Sequence, residues 1–188
     1  YWVSYGSPAP DPFISGSWSQ HDWGSAIGDY MKTSQSGFGV SPGNVDGSTS
    51  FYYNNSAAKL TCSAMASYGI AQDDGTYGRK LFYEARGYSV GDCFIQLTDN
   101  LYSNGFTFED YKAEVDVGHP VLINLEGHSV VGFGYSGSNI YIRDTWDSNP
   151  NHLYSMPWGG SYEKEEYLLP MWSVSIVKLQ SNSSPGDF

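Results

Sequence analysis

Basic residues are scarce in this sequence, and their scarcity excludes several classes of function. Nine Lys and Arg side chains stand against 20 Asp and Glu side chains, which gives a formal net charge of −11 at pH 7. A protein that binds a nucleic-acid backbone or an anionic membrane face needs clustered Lys and Arg. The composition therefore argues against both kinds of partner.

Long apolar runs are also missing. A segment that spans a bilayer needs about 18–20 consecutive apolar residues, and because no run of that length occurs we predict no membrane insertion. The sequence also lacks a secretory signal peptide, and it begins with Tyr1. We therefore expect the chain to be a processed product of a longer precursor.

Cysteine occurs only twice, as Cys62 and Cys93. The two thiols could form one disulfide, or both could stay free and buried, where a thiol behaves as a small hydrophobic group. The sequence leaves these alternatives open. Because it contains neither a paired-cysteine motif nor His-Glu-x-x-His, it does not predict a catalytic zinc site.

Aromatic residues and glycine are abundant instead, with 16 Tyr, 6 Trp and 22 Gly among 188 residues. Hydrophobic residues make up 40% of the chain, which suffices for one ordinary domain with a real core. A surface rich in Tyr, Gly, Ser and Asn with little Lys is common in secreted proteins. We therefore expect an extracellular or cell-surface location.

The order of the predicted elements indicates an α+β domain, with helices packed against an antiparallel sheet. Helical spacing and capping residues predict helices at about 23–32, 74–87 and 107–118, whereas short apolar and alternating runs predict strands mainly in the C-terminal half. We divide the chain into an extended, proline-rich arm at 1–17, one domain at 18–180 and a polar tail at 181–188.

Residues 119–146 combine strand signals with a candidate catalytic pair. Val121–Leu125 is a short apolar run, His128 begins a second one, and a Ser-Gly-Ser-Asn turn at 136–139 leads into a strand that ends at Asp144. In such a hairpin His128 and Asp144 lie on neighbouring strands, where their side chains can meet. A carboxylate there would fix the imidazole tautomer and stabilise the imidazolium, as a catalytic base requires. Most such pairs in proteins, however, are surface residues or a turn cap.

The C-terminal half of the chain resembles the papain-like cysteine peptidase superfamily. The resemblance rests on GFTFEDYKAEVDVGHPVLINLEGHSVVGFGY and YIRDTWD, and it is closest to the bacteriocin-processing-like branch, often found in secreted bacterial proteins. In that branch a helix leads into a Gly-x-Pro-Val-Leu-Ile strand, a Gly precedes the catalytic His, and an Asp closes the next strand. Gly118–Ile123, Gly127, His128 and Asp144 match these features. The resemblance implies a papain-like fold in which His128 is the base and Asp144 orients it.

The sequence departs from the family pattern at the nucleophile. The family places a Cys at the start of an early helix, in a Gly-Cys-x-Pro-Thr setting, where the helix N-terminus favours the thiolate. Because that motif is missing, we expect either a nucleophile in a removed upstream segment or a catalytically inactive domain. Cys62 is an alternative nucleophile, since a helix could begin there and the order Cys62, His128, Asp144 matches the family. Gln20 is not assigned as an oxyanion donor, because no Cys follows it.

Two further classes of ligand stay open. The oxygen-rich loops at 99–104 and 144–151 could hold a structural Ca²⁺, although neither has the EF-hand pattern and the predicted chemistry requires no cofactor. Aromatic side chains could stack on sugars or could belong to the core; we favour the core for Trp172 and leave Trp158 open. The remaining candidates are His21, Asp22, His119, Asp147, Asn149 and His152 as metal ligands, and Trp146 and Tyr162 as sugar contacts.

Two functions of different classes follow. The first is a secreted cysteine-peptidase-like domain that hydrolyses peptide bonds in a peptide or protein. The second is an inactive peptidase-fold module with a binding, structural or cell-surface assembly role. Since loss of the nucleophile helix would expose apolar surface, we expect the arm at 1–17, a retained N-terminal fragment or a second copy of the chain to cover it.

Overall fold

The structure is a computed structural model that describes residue 24 and residues 26–33, 48–144 and 151–180. Its α-helices are α1 Ile27–Tyr30, α2 Cys62–Ser67, α3 Gly75–Glu84 and α4 Phe108–Asp116. Its strands are β1 Leu60–Thr61, β2 Val90–Leu97, β3 Val121–Leu125, β4 His128–Ser136, β5 Asn139–Arg143, β6 Tyr154–Pro157, β7 Ser161–Lys164 and β8 Tyr167–Leu179. The predicted arm and tail lie outside the described residues.

The eight strands of the described residues form one antiparallel sheet in the order β1-β2-β8-β3-β4-β5-β6, and β7 pairs with β8 outside this path. β8 is central, because it pairs with β2, β3 and β7. α3 lies against β2 and β8, and α4 lies against β3 and β4. The predicted α+β class, with helices packed against an antiparallel sheet, is confirmed.

Two apolar clusters hold these elements together. The hairpin core has 14 buried residues: Phe94, Phe106, Tyr111, Val121, Ile123, Leu125, Val130, Ile140, Ile142, Met156, Tyr162, Met171, Val174 and Ile176. The disulfide core has five: Leu60, Cys62, Met65, Cys93 and Ile95. Alternation along the strands explains the division, since successive side chains point to opposite faces of a sheet.

Helix caps fix two of the helices where the sequence predicts them. The buried carboxylate of Asp74 accepts hydrogen bonds from the main-chain N–H groups of Thr76 and Tyr77 at the start of α3, and from that of Tyr52. Burial raises the pKa of Asp74, although these hydrogen bonds oppose the shift. At α4, Thr107 and Asp110 form the predicted capping box.

The helix predicted at 23–32 is shorter than expected. Within the described residues α1 covers only Ile27–Tyr30. It packs closely on α3, because a Cβ atom at Gly78 would lie 2.3 Å from the main-chain oxygen of Tyr30. None of the helices in the described ranges has the length and apolar character of a membrane span.

Candidate active site

Two tight turns position His128. The β3–β4 turn consists of Glu126 and Gly127, and Leu125 pairs directly with His128 across it. Gly127 has φ +75°, a left-handed conformation that glycine adopts without the steric cost of a side chain. The main-chain N–H of Glu126 also donates to the oxygen of Pro170, which attaches this turn to β8. His128 is therefore the first residue of a well-anchored strand.

The β4–β5 hairpin brings Asp144 beside His128. Val131 pairs with Arg143 and Ser136 pairs with Asn139, which confirms the predicted hairpin and its turn. The Nε2 atom of His128 lies 2.6 Å from the main-chain oxygen of Asp144. The predicted pair is thus in contact, but this hydrogen bond uses the main-chain oxygen of Asp144 instead of its carboxylate.

This contact determines which imidazole nitrogen carries the proton. A carbonyl oxygen only accepts hydrogen bonds, so Nε2 of His128 must be the donor. In the neutral ring Nδ1 is then unprotonated and can accept a proton. The geometry therefore favours the Nε2–H tautomer of the neutral His128 ring.

The carboxylate of Asp144 is buried and has its own partners on β7. Its side chain is only 2% exposed, a position in which a charge needs hydrogen bonds or an opposite charge. The hydroxyl of Tyr162 donates to Oδ2 at 2.7 Å, and the ammonium group of Lys164 lies 3.4 Å from the same oxygen. Lys164 also lies over the ring of Tyr154, 4.8 Å from its centroid.

A short row of hydrogen-bonded polar side chains crosses the sheet next to His128. Ser129 donates to Oδ1 of Asn124 at 2.9 Å, and Nδ2 of Asn124 donates to Ser173 at 3.0 Å. Asn124 and Ser173 are buried. The row joins β4, β3 and β8, so it holds the strand that begins at His128 against the centre of the sheet.

The structure corrects the assignment of Cys62 as an alternative nucleophile. A helix does begin at Cys62, with the side chain of Thr61 as its cap, as that assignment required. However, the sulfur atom of Cys62 is bonded to that of Cys93, and the residue is only 3% exposed. A sulfur atom in a disulfide has no thiolate form, so Cys62 cannot attack a substrate while the bond is intact.

Two of the aromatic sugar-binding candidates in the described residues contact other side chains of the protein. Trp158 stacks on Phe108 with their ring centroids 5.7 Å apart, and its indole N–H donates to Asp99 at 2.8 Å. Tyr162 is 3% exposed and bonds to Asp144. The ring of Tyr162 is therefore unavailable for stacking on a sugar, whereas Trp158 is half-buried. Trp146 lies outside the described residues.

The metal candidates that can be examined have other partners. His119 contacts Glu114, and His152 contacts the hydroxyl of Tyr154. Among the described residues, no group of three or more His, Cys, Asp or Glu side chains is arranged to hold a metal ion. Gln20, His21, Asp22, Asp147, Asn149 and most of the loop at 144–151 lie outside those residues.

Sequence reasoning missed Tyr162 and Lys164 as parts of the site. The two residues are two positions apart, so they share one face of a strand. That spacing was visible in Ser161–Lys164, but the carboxylate they contact is 18 and 20 residues earlier in the chain. Only the sheet order brings β7 to the end of β5.

One of three comparisons with known proteins found a match, and that match is to a protein family. Residues 25–170, more than three quarters of the chain, match the model of the Peptidase_C39 like family. A search of curated proteins and a search of solved structures found no match. The match spans α1, α4, His128, Asp144 and Tyr162, and it supports a relationship to the papain-like cysteine peptidases. The chain therefore belongs to the Peptidase_C39 like family.

Proposed function

We propose that this domain, in its full-length form, hydrolyses peptide bonds as a cysteine peptidase, with His128 as general base and acid and Asp144 as the residue that orients it. The observation that carries the proposal is the 2.6 Å hydrogen bond from Nε2 of His128 to the main-chain oxygen of Asp144. It leaves Nδ1 of the neutral ring free of a proton, and that nitrogen can accept the proton of a thiol.

The nucleophile of this mechanism comes from outside the 188 residues. Both cysteines of the sequence are in the disulfide, so the thiolate belongs to an upstream segment of the precursor, as the resemblance to the papain-like peptidases implies. It attacks the carbonyl carbon of the peptide bond, and protonated His128 gives its proton to the leaving amine. His128 then deprotonates a water molecule, which hydrolyses the thioester, releases the new carboxylate and regenerates the thiol.

The pairing of both cysteines also favours a second candidate function. Without another thiol the domain has no nucleophile, and it is then an inactive peptidase-fold module that binds a peptide or protein, or assembles at the cell surface. The two candidates differ in one measurable property, which is the presence of a reactive cysteine that depends on His128.

The test is labelling of the full-length protein by a cysteine-directed electrophile, together with cleavage of a peptide library. We expect His128→Ala to slow labelling and cleavage by roughly 10²- to 10⁴-fold, the usual contribution of a general base. His119→Ala is the matched control, because His119 is another histidine whose side chain is 52% exposed and contacts Glu114. Labelling that is absent, or that is unaffected by His128→Ala, would contradict the peptidase and favour the binding module.

The disulfide supports an extracellular or cell-surface location. Disulfides form and persist in oxidising compartments and are rare in the cytosol. The link between Cys62 and Cys93 therefore fits a protein that is exported before it folds. Intact-mass measurement of the natural protein, without reductant and with an alkylating agent, gives the state of these cysteines. The same measurement detects a retained N-terminal fragment, the partner that we propose for the domain.

A further inference from the structure

We propose that Tyr162 and Lys164 are positioning residues for His128, and that they act on it through the Asp144 that they hold. The inference rests on the proposed function, since it assigns a role to groups that do not touch the substrate but control the base. It explains why a tyrosine and a lysine on β7 contact the carboxylate of Asp144, whose main-chain oxygen contacts the imidazole.

The first step concerns what Asp144 offers to His128. The contact is made by a main-chain oxygen, whose position depends on where the end of β5 lies. Ile142, two residues before Asp144, pairs with Tyr154 of β6 and with Gly132 of β4. Asp144 directly follows Arg143, which is the last residue of β5 and pairs with Val131. The side chain of Asp144 adds contacts with β7 at this point, just past the strand pairing.

The second step concerns how firmly that side chain is held. The hydroxyl of Tyr162, itself 3% exposed, donates to Oδ2 at 2.7 Å inside the hairpin core. The ammonium group of Lys164 lies 3.4 Å from the same oxygen, and the Lys164 side chain is 24% exposed. Its positive charge partly neutralises the negative charge of the buried carboxylate. Two groups from β7 therefore bind the carboxylate of Asp144, while the carbonyl of Asp144 binds His128.

The consequence is a defined tautomer. With the carbonyl of Asp144 in place, the Nε2–H form of His128 can donate a hydrogen bond to it. The Nδ1–H form has no proton on Nε2 and cannot make this bond. If the carboxylate is released, the end of β5 can move, and the preference for the Nε2–H form should weaken. A base that spends part of its time in the wrong tautomer loses turnover, whereas the binding of substrate elsewhere in the cleft is unchanged.

The experiment compares Tyr162→Phe and Lys164→Met with the unmodified full-length protein. The first readout is the ¹⁵N NMR spectrum of the histidine ring nitrogens, in which the signal of His128 is assigned by its loss in His128→Gln. We expect a single Nε2–H tautomer in the unmodified protein and a mixture of tautomers in both variants. The second readout is peptide cleavage, in which we expect kcat to fall roughly 10- to 100-fold with KM unchanged.

The matched control is Tyr111→Phe, which removes another core tyrosine hydroxyl. Tyr111 is fully buried and donates to the main-chain oxygen of Gly134 at 2.9 Å. This variant should lose stability without any change in the tautomer of His128. Lys164→Arg should retain the single tautomer, because it keeps the positive charge. If Tyr162→Phe does not fold, Lys164→Met alone decides the question.

The outcomes separate this inference from the proposed function. A single Nε2–H tautomer that persists in Tyr162→Phe and Lys164→Met would overturn the inference, whatever the activity of the protein. Mixed tautomers in these variants, in a full-length protein that cleaves no peptide, would support the positioning of His128 and contradict the peptidase. Loss of kcat in Tyr111→Phe equal to that in Tyr162→Phe would also overturn the inference, because it would reflect a general loss of packing.

Discussion

The hairpin core draws 14 buried residues from α4, seven strands and the loop before α4, whereas the disulfide core contains five residues, two of which are the only cysteines in the sequence. A large apolar cluster can hold its elements by burial alone, at roughly 1.5–3 kcal/mol for each large side chain. A small one needs additional restraints. The disulfide core has a covalent link from α2 to β2, and Tyr77, which packs against this cluster, donates its main-chain N–H to the buried cap Asp74.

This difference shows on which region the candidate site depends. Tyr162 belongs to the hairpin core and binds the carboxylate of Asp144, and His128 begins a strand of the same core. The cysteines lie in the other cluster. We therefore expect the geometry of the site to depend on apolar packing. It should change little when the disulfide between Cys62 and Cys93 is reduced.

The largest expected effect comes from removing packing in the hairpin core. Ile123 is fully buried on β3 and pairs with Val130 of β4. We expect Ile123→Ala to lower the free energy of unfolding by about 4 kcal/mol, because it removes buried methyl groups and leaves a cavity. Urea denaturation measures the change. Ile27→Ala, at a residue that is 36% exposed, is the matched control and should cost much less; equal costs would contradict the packing argument.

The next effect comes from removing the covalent link. The disulfide closes a sequence separation of 31 residues, and we expect the double substitution of Cys62 and Cys93 by serine to cost about 3 kcal/mol. Native-state hydrogen exchange gives the location of the loss. Amides of α2 should lose protection more than those of β3 and β4, since the link is not part of the hairpin core. An equal loss in both regions would show that the two clusters behave as one cooperative unit.

The smallest effect concerns the buried cap of α3. Burial raises the pKa of Asp74 above its ordinary value of 3.8, so the folded state favours the protonated carboxyl. The stabilisation that comes from the protonated carboxyl of Asp74 is complete below pH 3.8. It is lost as the pH rises through the raised pKa. Relative to Asp74→Asn, which keeps a good capping residue, the unmodified protein should become less stable as the pH rises above 3.8, the ordinary pKa of the group. Urea unfolding across this range is the measurement, and a relative gain in stability would contradict the prediction.

Local signals in the sequence predicted the elements better than they predicted the site. The caps at Asp74 and Thr107 and the turn at 136–139 involve neighbours within a few residues, so the printed sequence reveals them. The pairing of His128 with Asp144 followed from that turn and from the family resemblance. In each case the interacting groups lie on the same short stretch of chain.

What the sequence could not predict depends on distant contacts. The choice between a disulfide and free thiols for Cys62 depends on β2 lying beside α2. The contact of Tyr162 with Asp144 depends on β7 reaching the end of β5, and the packing of Trp158 depends on α4. Each contact joins elements that the tertiary fold brings together, and single-sequence patterns do not determine that arrangement.

The central position of β8 has a consequence for the time course of folding. β8 is the last described strand along the chain, yet it alone joins β2 to β3. During synthesis a chain that has emerged only as far as Lys164 can form the β3–β4–β5 hairpins, but β2 and β3 both keep an unpaired edge. Such edges favour association with other chains. Completion of the sheet therefore has to wait for residues 167–179, and a chain released before that point would carry two partial sheets prone to aggregation.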